Sequence, residues 1–151
     1  MATEEELKRD EYFMQKALIE AQAAFDEDEI PIGAVVVCKG QIISRAHNLT
    51  ERLHDVTAHA EMLAITAATN QLGGKYLTDC TLYVTIEPCP MCASACGWAQ
   101  LSRVVYGASD DKRGYKRYAP KVLHPKAEVT NGVLREDCMA LMQLFFKRRR
   151  D

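Results

Sequence analysis

Apolar residues recur along the first part of the chain at helical spacing. Met14, Ala17, Leu18, Ala21 and Phe25 follow the i, i+3, i+4, i+7 rhythm that lays one stripe along a helix. The pattern predicts a helix over about residues 5–25, ended by the acidic run Asp26 to Glu29 and by Pro31. Ile32–Cys38 and Gln41–Ala46 then read as two strands joined by Lys39-Gly40, a short turn with glycine where positive φ is easily reached. A polar stretch from His47 to Asp55 leads into a second helix, which begins near His59, runs through Met62, Leu63, Ile65 and Thr66, and stops at Gly73-Gly74.

Thr81–Ile86 reads as a strand with Leu82, Val84 and Ile86 on one side, feeding directly into Glu87-Pro88-Cys89. A helix to about Ala99 and a strand over Arg103–Tyr106 follow, a strand-helix-strand unit expected to be parallel with a right-handed crossover. Glu128–Val133 reads as a last strand, and Leu134, Cys138, Leu141, Met142 and Phe145 mark a final amphipathic helix. The sum is an α/β fold: a mixed sheet of about five strands with helices on both faces. With 151 residues, 48% of them hydrophobic, and no linker, repeat or low-complexity tract, a single domain over residues 1–151 is expected.

Composition adds location. Glu4, Glu5 and Glu6 stand where a secretory signal needs bases, and no stretch is long and apolar enough to span a bilayer, so a cytoplasmic protein without membrane contact is expected. In a reducing compartment the six cysteines are not a disulfide framework. Cys38, Cys80 and Cys138 read as small core residues, and Cys96, a turn deeper in its helix than Cys92, as another. Net charge is −2, but residues 1–30 carry ten acids against three bases while residues 112–150 carry eleven bases against three acids. The C-terminal third is a candidate phosphate surface, and Lys112, Arg113, Tyr115, Lys116, Arg117 and Tyr118 interleave bases with rings suited to stacking on unpaired nucleobases. The competing readings are an ordinary surface loop and, for Lys147 to Arg150, a solvated helix end.

The chemistry concentrates in two short strings. Cys89 and Cys92, at i and i+3 on one helical face, can reach a single metal ion. Pro88 and Pro90 place the pair at the start of a helix, whose positive end favours thiolates. His59, from a separate element, supplies a third ligand. Glu61, at i+2 on the same helix, meets such an ion as a neighbour rather than as a ligand. Three protein ligands leave a fourth position for water, the catalytic type of zinc site, and an unligated carboxylate beside it is a general base. Zinc is the expected ion, although iron accepts similar ligands. Taken singly, the CxxC also reads as a redox pair or half a structural knuckle. A non-catalytic module with closed zinc would need His47, His54 or His124 as fourth ligand and would leave Glu61 without a task.

His59-Ala60-Glu61 with Pro88-Cys89-Pro90-Met91-Cys92 is the H-x-E…P-C-x-x-C pattern of zinc deaminases. The longer strings, Asp55 to Glu61 and Glu87 to Cys92, resemble the bacterial tRNA-specific adenosine deaminases of the cytidine deaminase-like superfamily. The resemblance implies the three-layer fold of that superfamily, one zinc ion per chain, hydrolysis of adenosine to inosine at the wobble position of a tRNA anticodon loop, and a homodimer. It also implies that Asn48 binds the base and that Asp110 and His124 contact the tRNA. The chain departs from the pattern after Gly114, where Tyr115-Lys116-Arg117-Tyr118 replaces small residues. Bacterial guanine deaminases share the Thr-Ala-His-Ala-Glu and Pro-Cys-Pro-Met-Cys strings, so deamination of a free nucleobase or nucleoside such as guanine is the second reading.

Overall fold

The computed structural model describes residues 2–150, so the two end residues of the expected 1–151 domain lie outside it. Helix α1 (Glu4–Asp26) opens at Thr3, whose hydroxyl accepts the Glu6 N–H at 3.1 Å, with three glutamates in its positive first turn. Strands β1 (Gly33–Cys38) and β2 (Gln41–His47) form the expected hairpin, its turn residues Lys39 and Gly40 both at positive φ. Helix α2 (Ala60–Leu72), strand β3 (Cys80–Ile86), helix α3 (Pro90–Trp98) and strand β4 (Arg103–Ala108) follow. A single helical turn α4 (Tyr115–Tyr118), a three-residue strand β5 (Glu128–Thr130) and helix α5 (Arg135–Arg150) complete the chain.

The sheet order is β2-β1-β3-β4-β5. β1 is antiparallel to both neighbours, whereas β3 with β4 and β4 with β5 are parallel. Four strands therefore run one way and β1 alone runs back, so the carboxyl ends of β2, β3 and β4 share one edge. In open α/β sheets that edge is where ligands bind.

Alternation along the strands makes the layers. Ala34, Val36, Leu82, Val84, Val104 and Tyr106 pack with Ala60, Ala64, Ala68 of α2 and Ala93, Cys96 of α3. Val35, Val37, Tyr83 and Val105 pack on the other face with Phe13, Met14 and Ala17 of α1 and Cys138 of α5. Alanine-rich helix faces bring α2 and α1 close. At Gly33 a Cβ would strike the Ala17 carbonyl and Ala21 N–H of α1, so glycine permits that approach. One polar knot interrupts this second layer. Buried Asp10 takes both Arg103 guanidinium nitrogens at 2.7 Å and the Tyr83 hydroxyl at 2.7 Å.

Two expectations are corrected in detail. The last strand ends at Thr130 rather than Val133, because Gly132 turns at φ 82° and donates to the Gly107 carbonyl at 3.1 Å. The basic end of α5 is not wholly free: Arg148 pairs with Asp28 at 2.8 Å and stacks 4.2 Å from the Phe25 ring centre, and Arg149 donates to the Asp28 carbonyl. Among the described residues no helix is long and apolar enough to cross a membrane.

Candidate active site

Two helix N-termini converge on the shared edge. Cys89 is the N-cap of α3, Pro90 takes its first turn, and Cys92 lies one turn in, as the two prolines required. His59 is the N-cap of α2. Neither cap side chain bonds a backbone N–H of its own helix. Both are turned instead toward each other: His59 Nδ1 lies 3.7 Å from Cys89 Sγ and 3.4 Å from Cys92 Sγ. The three donor atoms all fall within 4.8 Å of one another.

A tetrahedral zinc with Zn–S of about 2.3 Å and Zn–N of about 2.0 Å has S···N edges of about 3.5 Å, which the observed separations bracket. Among the described residues no further His, Cys, Asp or Glu joins the group. His47 is held between Glu20 at 3.1 Å and Glu27 at 2.8 Å, and His124 Nδ1 accepts the Lys126 N–H. Hydrogen bonds from Cys92 and from His59 outweigh the opposing effect of burial and lower the Cys89 thiol to about 4. Cys92 is driven up by the same bond to Cys89 and by burial.

Glu61 sits in the first turn of α2, only 3% exposed, and its Oε1 is buried with no hydrogen-bond partner. An orphaned carboxylate oxygen is costly to bury, so its place beside three ligand atoms marks a position where another polar group belongs. Burial raises the Glu61 carboxyl to about 7, opposed by its own backbone N–H and by His59. So placed, the group is able to take up and give back a proton beside the three ligand atoms.

The structure places the other expected residues as follows. Asn48 follows the carboxyl end of β2, is 4% exposed and donates to Thr50 Oγ1 at 3.3 Å. The bond from Leu49 N–H to the Ala58 carbonyl seats it beside the approach to His59. Asp110 lies just beyond β4, with its carboxylate taken up by the Lys112 and Arg113 N–H groups, so it shapes a turn. His124 lines a cleft with Ala95, Gly97 and Trp98 toward the far end of α3 from the ligands.

Two buried carboxylates near the site hold loops in a way the sequence did not show. Glu87, 7% exposed, accepts the Asp110 N–H at 3.0 Å and the Lys116 N–H at 3.1 Å, tying the loop after β4 to the turn that carries Cys89. Gly114 passes so close that a Cβ there would land on the Glu87 carboxylate. Glu29, 1% exposed, does the same on the other side, accepting the Glu51 N–H at 3.0 Å and the Arg52 N–H at 2.7 Å. Each wall of the opening is held by a buried carboxylate that bonds two backbone donors.

Residues 7–108 match the cytidine and deoxycytidylate deaminase zinc-binding region. The chain belongs to that deaminase family. The deaminase is 44% identical over 149 residues to the tRNA-specific adenosine deaminase of Bacillus subtilis strain 168, across 95% of this chain and 92% of the relative. It superposes with a TM-score of 0.81 on a solved tRNA:A34 deaminase that edits A to I at the wobble position of transfer RNA, at 41% identity over 86% of this chain and 98% of that one. A guanine deaminase from Nitrosomonas europaea is similar at 25% identity, with a TM-score of 0.81 over 89% of this chain and 83% of its own.

Proposed function

We propose that this deaminase hydrolyses the 6-amino group of adenosine at the wobble position of a tRNA anticodon loop, giving inosine and ammonia. The observation that carries the chemistry is the orphaned, buried Glu61 oxygen beside three ligand atoms, with no fourth ligand among the described residues. The likeness to tRNA-specific adenosine deaminases over nearly the whole chain supports the substrate. His59 Nδ1 and the two thiolates would hold the ion, and zinc when bound supplies Lewis acidity at its open position.

Glu61 does the proton work. Its carboxylate takes one proton from the attacking water and passes it to the ring nitrogen next to C6, then takes the proton of the new C6 hydroxyl and delivers it to the amine, which leaves as ammonia as the C–N bond breaks. The buried setting keeps bulk water from competing for that proton. Asn48, at the rim near the start of α2, orients the base by hydrogen bonding. The target base has to be unstacked to reach this depth, which suits a loop nucleotide. Lys112, Arg113, Lys116 and Arg117, on the loop that Glu87 holds, meet the phosphates, and Tyr118, 62% exposed, offers a ring for stacking. Asp110 supports this surface by shaping its turn, and His124 lies on the outer RNA path.

The protein acts in the cytoplasm as a pair of copies. The exposed Trp98 and Tyr76, around the cleft at the end of α3, support pairing over that face. Ammonia release by zinc-loaded protein from an anticodon stem-loop with adenosine at the wobble position, and from free guanine, tests the substrate. Turnover of the stem-loop alone is expected. Turnover of guanine alone would replace the RNA reading with the free-base one, which the similarity to the guanine deaminase makes the one to exclude.

A further inference from the structure

Cys38 and Cys80 stand directly opposite each other in the antiparallel β1/β3 pair. The backbone of Cys80 is engaged away from β1: its N–H donates to Leu77, and its carbonyl accepts from the Ser102 N–H at 3.1 Å and hydroxyl at 2.9 Å. Opposed antiparallel residues that do not exchange backbone bonds form the close type of pair, with Cα atoms about 4.5 Å apart and side chains nearest. Disulfides bridge Cα separations of about 4.4–6.8 Å. Both side chains lie on the α2/α3 side of the sheet, and both are free thiols. A pair of that type lies within the span a disulfide bridges.

We propose that Cys38 and Cys80 are an oxidation site that takes peroxides and closes to a cross-strand disulfide while the metal ligands stay intact. Cys38, partly exposed beside the β1–β2 turn, is the sulfur a peroxide reaches. Its sulfur attacks one peroxide oxygen, the O–O bond breaks, and the products are a Cys38 sulfenic acid and water. The Cys80 sulfur then attacks the Cys38 sulfur, the S–O bond breaks, and the departing hydroxide leaves as water with the Cys80 proton. Two thiols and one hydrogen peroxide become one disulfide and two waters, with two electrons passing from sulfur to oxygen. Cys80 is 1% exposed, so a peroxide does not reach it first and it serves as the second reactant.

Position separates this site from the catalytic one. Cys80 begins the seven-residue β3 and Cys89 follows its end, so the two cysteine pairs lie at opposite edges of the sheet, about 20 Å apart. The closed bond would tie together the ends of the segment that carries Asn48, His59 and Glu61. It therefore stiffens half of the catalytic edge without touching it.

The test is zinc-loaded full-length protein treated with stoichiometric hydrogen peroxide, followed by blocking of free thiols and peptide mass analysis without reductant. The expected product joins the Cys38 and Cys80 peptides, two hydrogens lighter than their sum. It is reversed by a dithiol, retains zinc and unfolds several degrees higher. Cys38→Ser abolishes it, and Cys80→Ala accumulates a Cys38 sulfenic acid that a dione reagent traps. Sulfinic acid at Cys38 with Cys80 still free, a Cys89–Cys92 disulfide with zinc loss as the only bridge, or no reaction at either thiol would each overturn the proposal.

Discussion

Glu87→Gln asks how the wall of the active-site opening is held. The native carboxylate gives one oxygen to the Asp110 N–H and the other to the Lys116 N–H, at 3.0 and 3.1 Å. The amide keeps one acceptor and turns a donor toward the second N–H. One charge-assisted bond is lost, worth about 1.5–3 kcal/mol, and the surviving bond loses its charge. At about 1.4 kcal/mol per factor of ten, the ordered loop loses roughly tenfold or more relative to open forms. Lys116 is exposed, so water recovers part of this and the lower figure applies. Steady-state inosine formation should show KM for the stem-loop rising about tenfold while kcat stays within about threefold. Hydrogen exchange at the Asp110 and Lys116 amides should speed up in parallel, with one zinc per chain retained. Faster exchange with an unchanged KM would refute the reasoning, because the loop would then be no part of the substrate's binding surface. A fall in kcat at constant KM would place Glu87 in the chemistry instead.

Glu61→Gln should keep its zinc and lose about 10²–10⁴ in kcat, read as inosine formation alongside metal content. Chelation should abolish turnover, lower Tm and be reversed by added zinc, since the ion binds the native arrangement of the trio. Asp10 is held below its ordinary 3.8: burial raises it, but the bonds from Arg103 and Tyr83 and the Arg103 charge outweigh burial. Its contribution is therefore present above that value and lost as pH falls through the lower folded one, so Tm should drop below about pH 4. Asp10→Asn should flatten that drop and cost about 3–5 kcal/mol at neutral pH by leaving Arg103 unpaired, as measured by denaturant titration. Trp98→Glu should shift the protein to a monomer in sedimentation if the end of α3 is the pairing face.

Local signals carried most of the fold into the sequence. The alternation along β3 and the helical stripe of α1 each reflect packing against one layer, so Leu82 and Met14 could be read without a partner in view. The metal trio was legible because two of its members share a helix turn and proline reports where that turn begins. Glu29 and Glu87 were not, because a carboxylate that binds backbone N–H groups more than twenty residues away leaves no periodicity and asks nothing of the residue types it holds. The one-turn α4 is too short for the helical period to register, and β5 was legible only with its end set at Val133 rather than Thr130. Arg148 and Arg149 looked like free charge because their acceptors, at the end of α1, lie at the other end of the chain.

The missing caps on α2 and α3 bear on how the protein is assembled. A helix start without a capping bond gives up about 1 kcal/mol, and here both such starts face the same small volume. An ion held by His59, Cys89 and Cys92 would tie the first turns of both helices together, so the contact that would serve catalysis would also brace the least supported part of the fold.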